Sequence, residues 1–436
     1  MAGIFDALRA EITAVSVANR IGRVADIGKG ALRVQGFSQG ASLGDRVLIH
    51  GSQGDIGGEI VRLSREGAGI LPDSTPEGVR IGDAVAMIGH AAIAPDTGWI
   101  GRIVDPYGRP LDGRPLFRGV HPRALRAAAP PAAQRRPMGG RLATGLAVFN
   151  TLLPIVRGQR IGLFAGSGVG KSSLLARFAR RIEADVVVIA LIGERGRELR
   201  DFTDRILGPE GMRRSVVIAA TSDQSPLTRR RCAWTAMAVA EYFRDQGLHV
   251  LFLADSITRF AEAHREVAVA SGEEANLRGF PPSTAHTIMA LAERAGPGPE
   301  GAGDITAVFS VLVAGSDMDE PIADILRGVL DGHVVLDRAI AERGRFPAIN
   351  LLRSVSRSLP DAASPEENAL ITEARHLLGA YERTEMMIHA GLYAKGSDPV
   401  VDLAIKVWPA LDAFLSDEAQ GSIAASFQNL AACLRP

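Results

Sequence analysis

The sequence predicts an α/β core on a mostly parallel sheet, preceded by a small β-barrel and followed by a helical C-terminal domain. Three observations carry this prediction. Short valine- and isoleucine-rich segments punctuated by glycine fill residues 19–90, apolar runs alternate with helical stretches over 151–360, and apolar residues recur at three- and four-residue steps over 361–436. Period-two segments broken by turns read as strands, alternation of the two periods reads as a parallel sheet covered by helices, and the last texture reads as packed helices.

Ahead of the barrel, residues 1–18 place Ile4, Phe5, Leu8 and Ile12 at helical spacing with charges between them. A helix this short is marginal alone in water, so its stripe calls for a cover, a partner protein in preference to the chain's own surface. Asp6, Arg9 and Glu11 in the first turns are unlike a signal peptide. The barrel segments are GRVADIG, ALRVQGF, DRVLIHG, GGEIVRLS and DAVAMIG, and they read as a closed or nearly closed barrel. They contain no catalytic cluster. Residues 91–150, with DPYGRPLDG at Asp105–Gly113 and a proline-rich run ending at Pro137, are dominated by turn chemistry and read as the lead-in to the core. Arg135 and Arg136 there are expected to be solvated.

In the core, Val186–Ile192, Val216–Ala220, Val250–Ala254 and Ile305–Val313 are the expected strands, with helices such as Leu227–Arg244 and Thr258–Ala270 between them. Ligands bind at the carboxyl ends of strands in sheets of this kind. The C-terminal helices, in ENALITEARHLLGAYERTEMMIHAG and VVDLAIKVWPALDAFLSD, suggest core faces and no site.

Composition narrows the function classes. The chain has 436 residues, 46% hydrophobic and 22% charged, with a formal net charge of zero. A dedicated nucleic-acid binder usually carries a basic excess. The two cysteines, Cys232 and Cys433, form no metal-spacing pattern and suggest a reducing compartment. No apolar run reaches membrane-spanning length. The expected location is therefore cytoplasmic, with any membrane contact peripheral.

The chemistry concentrates in Arg160–Arg181, RIGLFAGSGVGKSSLLARFARR. It reads as a buried strand, a glycine turn and a helix. Gly166, Ser167, Gly168, Val169 and Gly170 form a turn whose N–H groups can wrap a polyphosphate at a helix N-terminus. Lys171 supplies a point charge for the outer phosphates, Ser172 a hydroxyl suited to Mg²⁺, and Ser173 continues the motif. Ala165 stands where the strict pattern has glycine. A purely structural turn would leave Lys171 at a helix mouth, where a cation is disfavoured unless an anion is bound.

Other residues fit around a nucleotide. Asp255 ends the apolar run of HVLFLADS, where it can hold Mg²⁺ through a water or merely cap the next helix. Glu194, in GERGRE directly after VVVIALI, can orient or deprotonate the attacking water, or simply favour a helix start. Arg195 beside it can hold carboxylate or phosphate. Phe346 precedes a proline and suits stacking on adenine, or a place in the core. Arg357 ends a short apolar stretch with a fixed cation. Arg229–Arg231 read as the charged start of a helix.

These motifs in order resemble the flagellar and type III secretion export ATPases, relatives of the rotary ATP synthase catalytic subunits. The resemblance runs from DPYGRPLDG through GQRIGLFAGSGVGKS, IGERGRE, TSDQSPL, AEYFRDQG, LADSITRFAEAHRE and RGFPPST to PAINLLRSVSR. LFAGSGVGKS and AKGSDPVVDLAIKVWPALDAFL resemble the flagellar form in particular. The resemblance implies a RecA-like P-loop core that hydrolyses ATP with Mg²⁺, as a homohexamer at the cytoplasmic base of an export apparatus. It implies phosphate binding by Lys171, metal roles for Ser172 and Asp255, catalysis by Glu194 with Arg195 beside it, and adenine contact by Phe346. Arg357 would reach into the adjacent subunit's site. The implied partners are a stator-like regulatory protein on the N-terminal helix, a central stalk protein, the membrane export gate, and export substrates with their chaperones. Asn350, where aspartate is expected, Ala254 and the helix AHTIMALAERAG depart from the pattern. The competing readings are a rotary synthase catalytic subunit, a hexameric RNA translocase and a non-enzymatic nucleotide-binding ring component.

Overall fold

The computed structural model describes residues 9, 12, 19–28, 30–37, 40–275, 279–313, 318, 320–419 and 421–435. The helix expected over residues 1–18 falls, apart from Arg9 and Ile12, outside the described residues.

Six strands, β1 (Ile21–Ile27), β2 (Leu32–Gln35), β3 (Asp45–Gly51), β4 (Gly54–Ser64), β5 (Gly67–Pro72) and β6 (Ala84–His90), close into a barrel in the order β1-β2-β5-β4-β3-β6. Alternation decides the inside: Val24, Leu32, Val34, Val47, Ile49, Ile60, Ile70 and Val85 point inward around Phe37. Closure leaves no unpaired strand edge.

The lead-in contributes more than turns. Two short strands, β7 (Ala92–Ile93) and β9 (Arg123–Ala124), pair with each other, and between them β8 (Arg102–Val104) joins the core sheet parallel to a later strand. Arg135 is half-buried, against the expectation, while Arg136 is exposed as expected but still bonded to the core. Arg135 bonds the Glu293 carboxylate and carbonyl, and Arg136 bonds the Asp304 carboxylate and the carbonyls of Gly298, Ala302 and Gly303. Both guanidiniums tie the lead-in to the core.

The core sheet is built from β10 (Arg160–Ala165), β11 (Val186–Glu194), β12 (Ser215–Thr221), β13 (Val250–Asp255), β14 (Gly296–Pro297), β15 (Asp304–Leu312), β16 (Gly332–Leu336) and β17 (Ile349–Ser356), together with β8. Its order is β17-β16-β10-β15-β13-β11-β12-β8, with β14 on β15. All neighbours along this path are parallel except β16 and β17, which run antiparallel. The four strands expected from apolar runs are β11, β12, β13 and β15, and nearly every residue in them is buried. Burial on both faces is what turns a parallel strand into a continuous apolar run. Helices Pro226–Arg244 and Ile257–Ala270 cover one face together with Ser283–Glu293.

Three helices follow the sheet: Pro365–His389, Pro399–Phe414 and Ile423–Cys433. The first starts on a capping box, Ser364 with Glu367, and has Pro365 in its first turn. Their apolar faces (Ile371, Leu377, Leu411, Phe414, Phe427 and Leu430) merge with Phe149, Phe178 and Leu174 of the core. No helix among the described residues is long and apolar enough to cross a membrane.

The barrel is seated on the core by buried charge. Arg229–Arg231 stand near the start of helix Pro226–Arg244 as expected, and Arg230 and Arg231 are each only 5% exposed. Arg230 pairs with Glu59 of β4 at 3.0 Å and lies over Trp234, while Arg231 bonds the Pro106 carbonyl and lies over the Tyr107 ring. Arg229 pairs with Glu266. These arginines are committed within the chain, which leaves the nucleic-acid reading without its strongest basic feature.

Candidate functional site

β10 is the strand from which the site grows. It lies between β15 and β16, both parallel to it, so its carboxyl end opens into the crevice at the top of the sheet. The chain leaves Ala165 through Gly166–Gly170 and enters helix Lys171–Arg181. Gly168 and Gly170 have φ of 78° and 88°, the left-handed region that glycine adopts without strain. Val169 is buried in the core and anchors the turn, while Ser167, Gly168 and Ser173 are exposed. The helix has no side-chain cap, so its first N–H groups face the crevice.

Lys171 forms an ion pair with Asp255, and the Ser310 hydroxyl donates to the same Asp255 oxygen at 2.7 Å. Asp255 is 3% exposed at the end of β13. It does not cap the following helix: Ser256 does, accepting the Arg259 N–H. Glu194 ends β11, three strands from β10. A cavity of about 150 Å³ is lined by Ser172, Glu194, Glu198 and Asp255, and Phe202 and Ile206 close its far side. Phe202–Leu207 is a stretch of π-helix that continues the helix Gly196–Asp201; such wider turns recur at functional sites.

The electrostatics of this cavity fall on Glu194. Burial, with the Asp255 charge adding to it and Lys171 opposing it, pushes the Glu194 carboxyl up to about 7. A general base is most effective with a pKa near the working pH. Arg195 does not enter the cavity. It is 77% exposed and pairs with Glu198 at 3.1 Å.

Phe346 is 48% exposed and stands against the phosphate turn, not in the core. A Cβ on Gly170 would lie 3.1 Å from its ring, so a side chain there would push the aromatic a few tenths of an ångström off the turn. Asn350, four residues on, donates to Asp337 Oδ2 at 3.3 Å and accepts the Arg353 N–H at 3.1 Å. An aspartate there would set two carboxylates against each other, which accounts for the departure. Asn350→Asp is expected to lower stability by roughly 1 kcal/mol at pH 7. The loss should shrink below pH 4 as one carboxylate protonates. Thermal melts of both proteins at the two pH values measure this.

Arg357 lies elsewhere. β17 runs against β16, and Ser356 pairs with Gly332 while Ile349 pairs with Leu336. Leu336 is level with Ala165, and His333 with Gly162. Arg357 is therefore level with the start of β10, at the opposite rim from the phosphate turn. Glu194 and Arg357 are separated by roughly 16 Å along the strands and roughly 24 Å across five strand spacings. Its guanidinium is exposed and donates to the Arg327 carbonyl at 3.0 Å.

The structure thus brings together Lys171, Ser172, Asp255 and Glu194, sets Phe346 at their edge, and leaves Arg195 and Arg357 outside. Sequence reasoning missed Ser310 and Glu198. Glu198 sits four residues after Glu194 inside a quoted motif, a helical spacing that offered a signal. Ser310 sits within an apolar run and offered none.

Comparison with known proteins identifies the family. Residues 145–356 match the ATP synthase alpha/beta family, nucleotide-binding domain, and residues 363–432 match the T3SS EscN ATPase C-terminal domain. A flagellum-specific ATP synthase of Caulobacter vibrioides is 46% identical over 405 residues, 91% of each chain. The assembled ATPase EscN of the enteropathogenic E. coli type III secretion system superposes with a TM-score of 0.87 at 34% identity, covering 95% of this chain and 100% of that one. EscN in complex with its central stalk EscO gives a TM-score of 0.86 at 34% identity over the same shares. The glycine turn, the acid-lined cavity beside it and these likenesses place the chain in the family of flagellum-specific ATP synthases and type III secretion ATPases, as an ATP-hydrolysing enzyme.

Proposed function

We propose that the protein hydrolyses ATP with Mg²⁺ as a homohexameric ring, with active sites between subunits, and that hydrolysis energises flagellar protein export at the cytoplasmic face of the membrane. One observation carries the ring: Glu194 and Arg357 of one chain sit at opposite rims of the sheet and cannot meet. A ring of identical subunits lets one copy's Glu194 face the next copy's Arg357. EscN, described as assembled, supports self-association.

In this reading the N–H groups of Gly166–Gly170 and the Lys171 ammonium hold the phosphates, and Phe346 stacks on the adenine. Glu194 orients the attacking water and accepts its proton. Arg195, outside the cavity, holds Glu198 at the cavity wall beside Glu194 through their ion pair. Arg357 from the neighbour meets the charge that develops on the transferring phosphoryl group. The donors fit Mg²⁺: the Ser172 hydroxyl and Asp255 carboxylate are hard oxygen ligands beside the phosphate cradle. Among the described residues no cluster of three or more His, Cys, Asp or Glu could hold an ion alone, so phosphate oxygens and water would have to complete the sphere. When bound, the ion would neutralise phosphate charge.

The flagellum-specific relatives favour the flagellar system. The EscN–EscO complex supports a central stalk partner. A stator-like regulator on residues 1–18, the export gate, and export substrates with chaperones complete the set, with no nucleic acid and only peripheral membrane contact. Specific ATPase activity should rise steeply with protein concentration, in step with assembly seen by light scattering. A flat specific activity from a protein shown to be monomeric would overturn the shared-site reading, and a need for a second type of subunit would restore the rotary-synthase one.

A further inference from the structure

The strand end that carries Arg357 is gripped by a buried carboxamide for which the reaction as described has no use. Gln159, 0% exposed, directly precedes β10. Its Oε1 accepts the Val156 N–H at 2.9 Å. Its Nε2 donates to the Asp331 carbonyl at 3.0 Å and to the Ser356 hydroxyl at 3.1 Å. The same Asp331 carbonyl accepts the Arg357 N–H at 3.0 Å, and Ser356 donates onward to the Pro154 carbonyl at 2.7 Å. One side chain therefore holds both the residue before Arg357 and the carbonyl to which Arg357 is tied. Gly332 closes in from the other side: a Cβ there would lie 2.5 Å from the Val355 carbonyl oxygen and 3.4 Å from the Arg357 nitrogen, leaving no slack.

We propose that Gln159 is a positioning residue for Arg357, fixing how far the guanidinium projects into the neighbouring subunit's site. This rests on the proposed action of Arg357 across the interface. Gln159 uses its acceptor and both its donors in these bonds, one of them to the strand end that carries Arg357 and one to the Asp331 carbonyl that accepts the Arg357 N–H. A shift on the order of 1 Å in a transition-state group costs about 10²-fold in rate.

Gln159→Met keeps the side-chain length and removes both donors. Turnover is expected to fall about 10²-fold with KM within a few-fold. Mixed assemblies separate positioning from damage to the variant's own phosphate turn. Gln159→Met subunits co-assembled with Glu194→Gln subunits should regain activity, because one supplies the glutamate and the other a well-placed arginine. Co-assembly with Arg357→Ala should regain none. The reverse pattern, or no recovery with either partner, overturns the proposal. Ser356→Ala should behave as Gln159→Met does in both mixtures. Glu194→Gln mixed with Arg357→Ala is the control: its failure to recover would sink the underlying action across the interface, independently of Gln159.

Discussion

Arg357→Ala is expected to lower ATP turnover by roughly 10³–10⁵-fold while nucleotide affinity stays within a few-fold. The asymmetry follows from where the side chain sits. Within its own chain Arg357 faces away from the phosphate turn, so it cannot contribute to binding there. Across the proposed interface it would meet oxygens whose charge is redistributed only as the phosphoryl group transfers, and an interaction made mainly in the transition state appears in kcat. Arg357→Lys keeps the charge but loses the planar fork of donors, and should recover only a small part of the rate. Steady-state turnover and titration with a fluorescent nucleotide give the two numbers. Weakened affinity with normal turnover would assign Arg357 to ground-state binding.

The second large effect belongs to Glu194. Glu194→Gln should cut turnover by roughly 10²–10⁴-fold, because an amide can hold the attacking water but cannot take its proton. Nucleotide affinity should be unchanged or tighter, since the substitution removes a negative charge from a cavity that Asp255 already makes acidic. The pH profile is a separate check. Burial, with Asp255 adding to it, raises the carboxyl to about 7. The ionised form is the base, so kcat/KM should climb as pH rises towards 7 and level off above it. The limb should vanish in Glu194→Gln. A wild-type profile flat from pH 5 to 8 would contradict the assignment of Glu194 as the group that accepts the proton.

What could be read from residues alone follows from locality. The four apolar runs became strands because burial on both faces imposes a continuous apolar sequence. The phosphate turn was legible because its backbone requires glycine at Gly168 and Gly170. The opposite cases depend on distant partners. Arg230 looks like any charged residue at a helix start, and only the fold brings Glu59, 171 positions away, to neutralise it. β8 spans three residues in a proline-rich stretch and is a strand only because β12 offers an edge. Asn350 looked like an anomaly until Asp337 was seen beside it. Arg357 was legible as a cation, but its placement at the far rim depends on β17 running against its neighbour.

In the proposed ring, that reversal of one strand would also govern copies outside an assembly. A subunit whose acid and guanidinium face apart would leave nucleotide intact while it drifts alone, however tightly it holds it. Consumption would then begin only when enough copies gather, so a cell could keep a reserve without idle combustion.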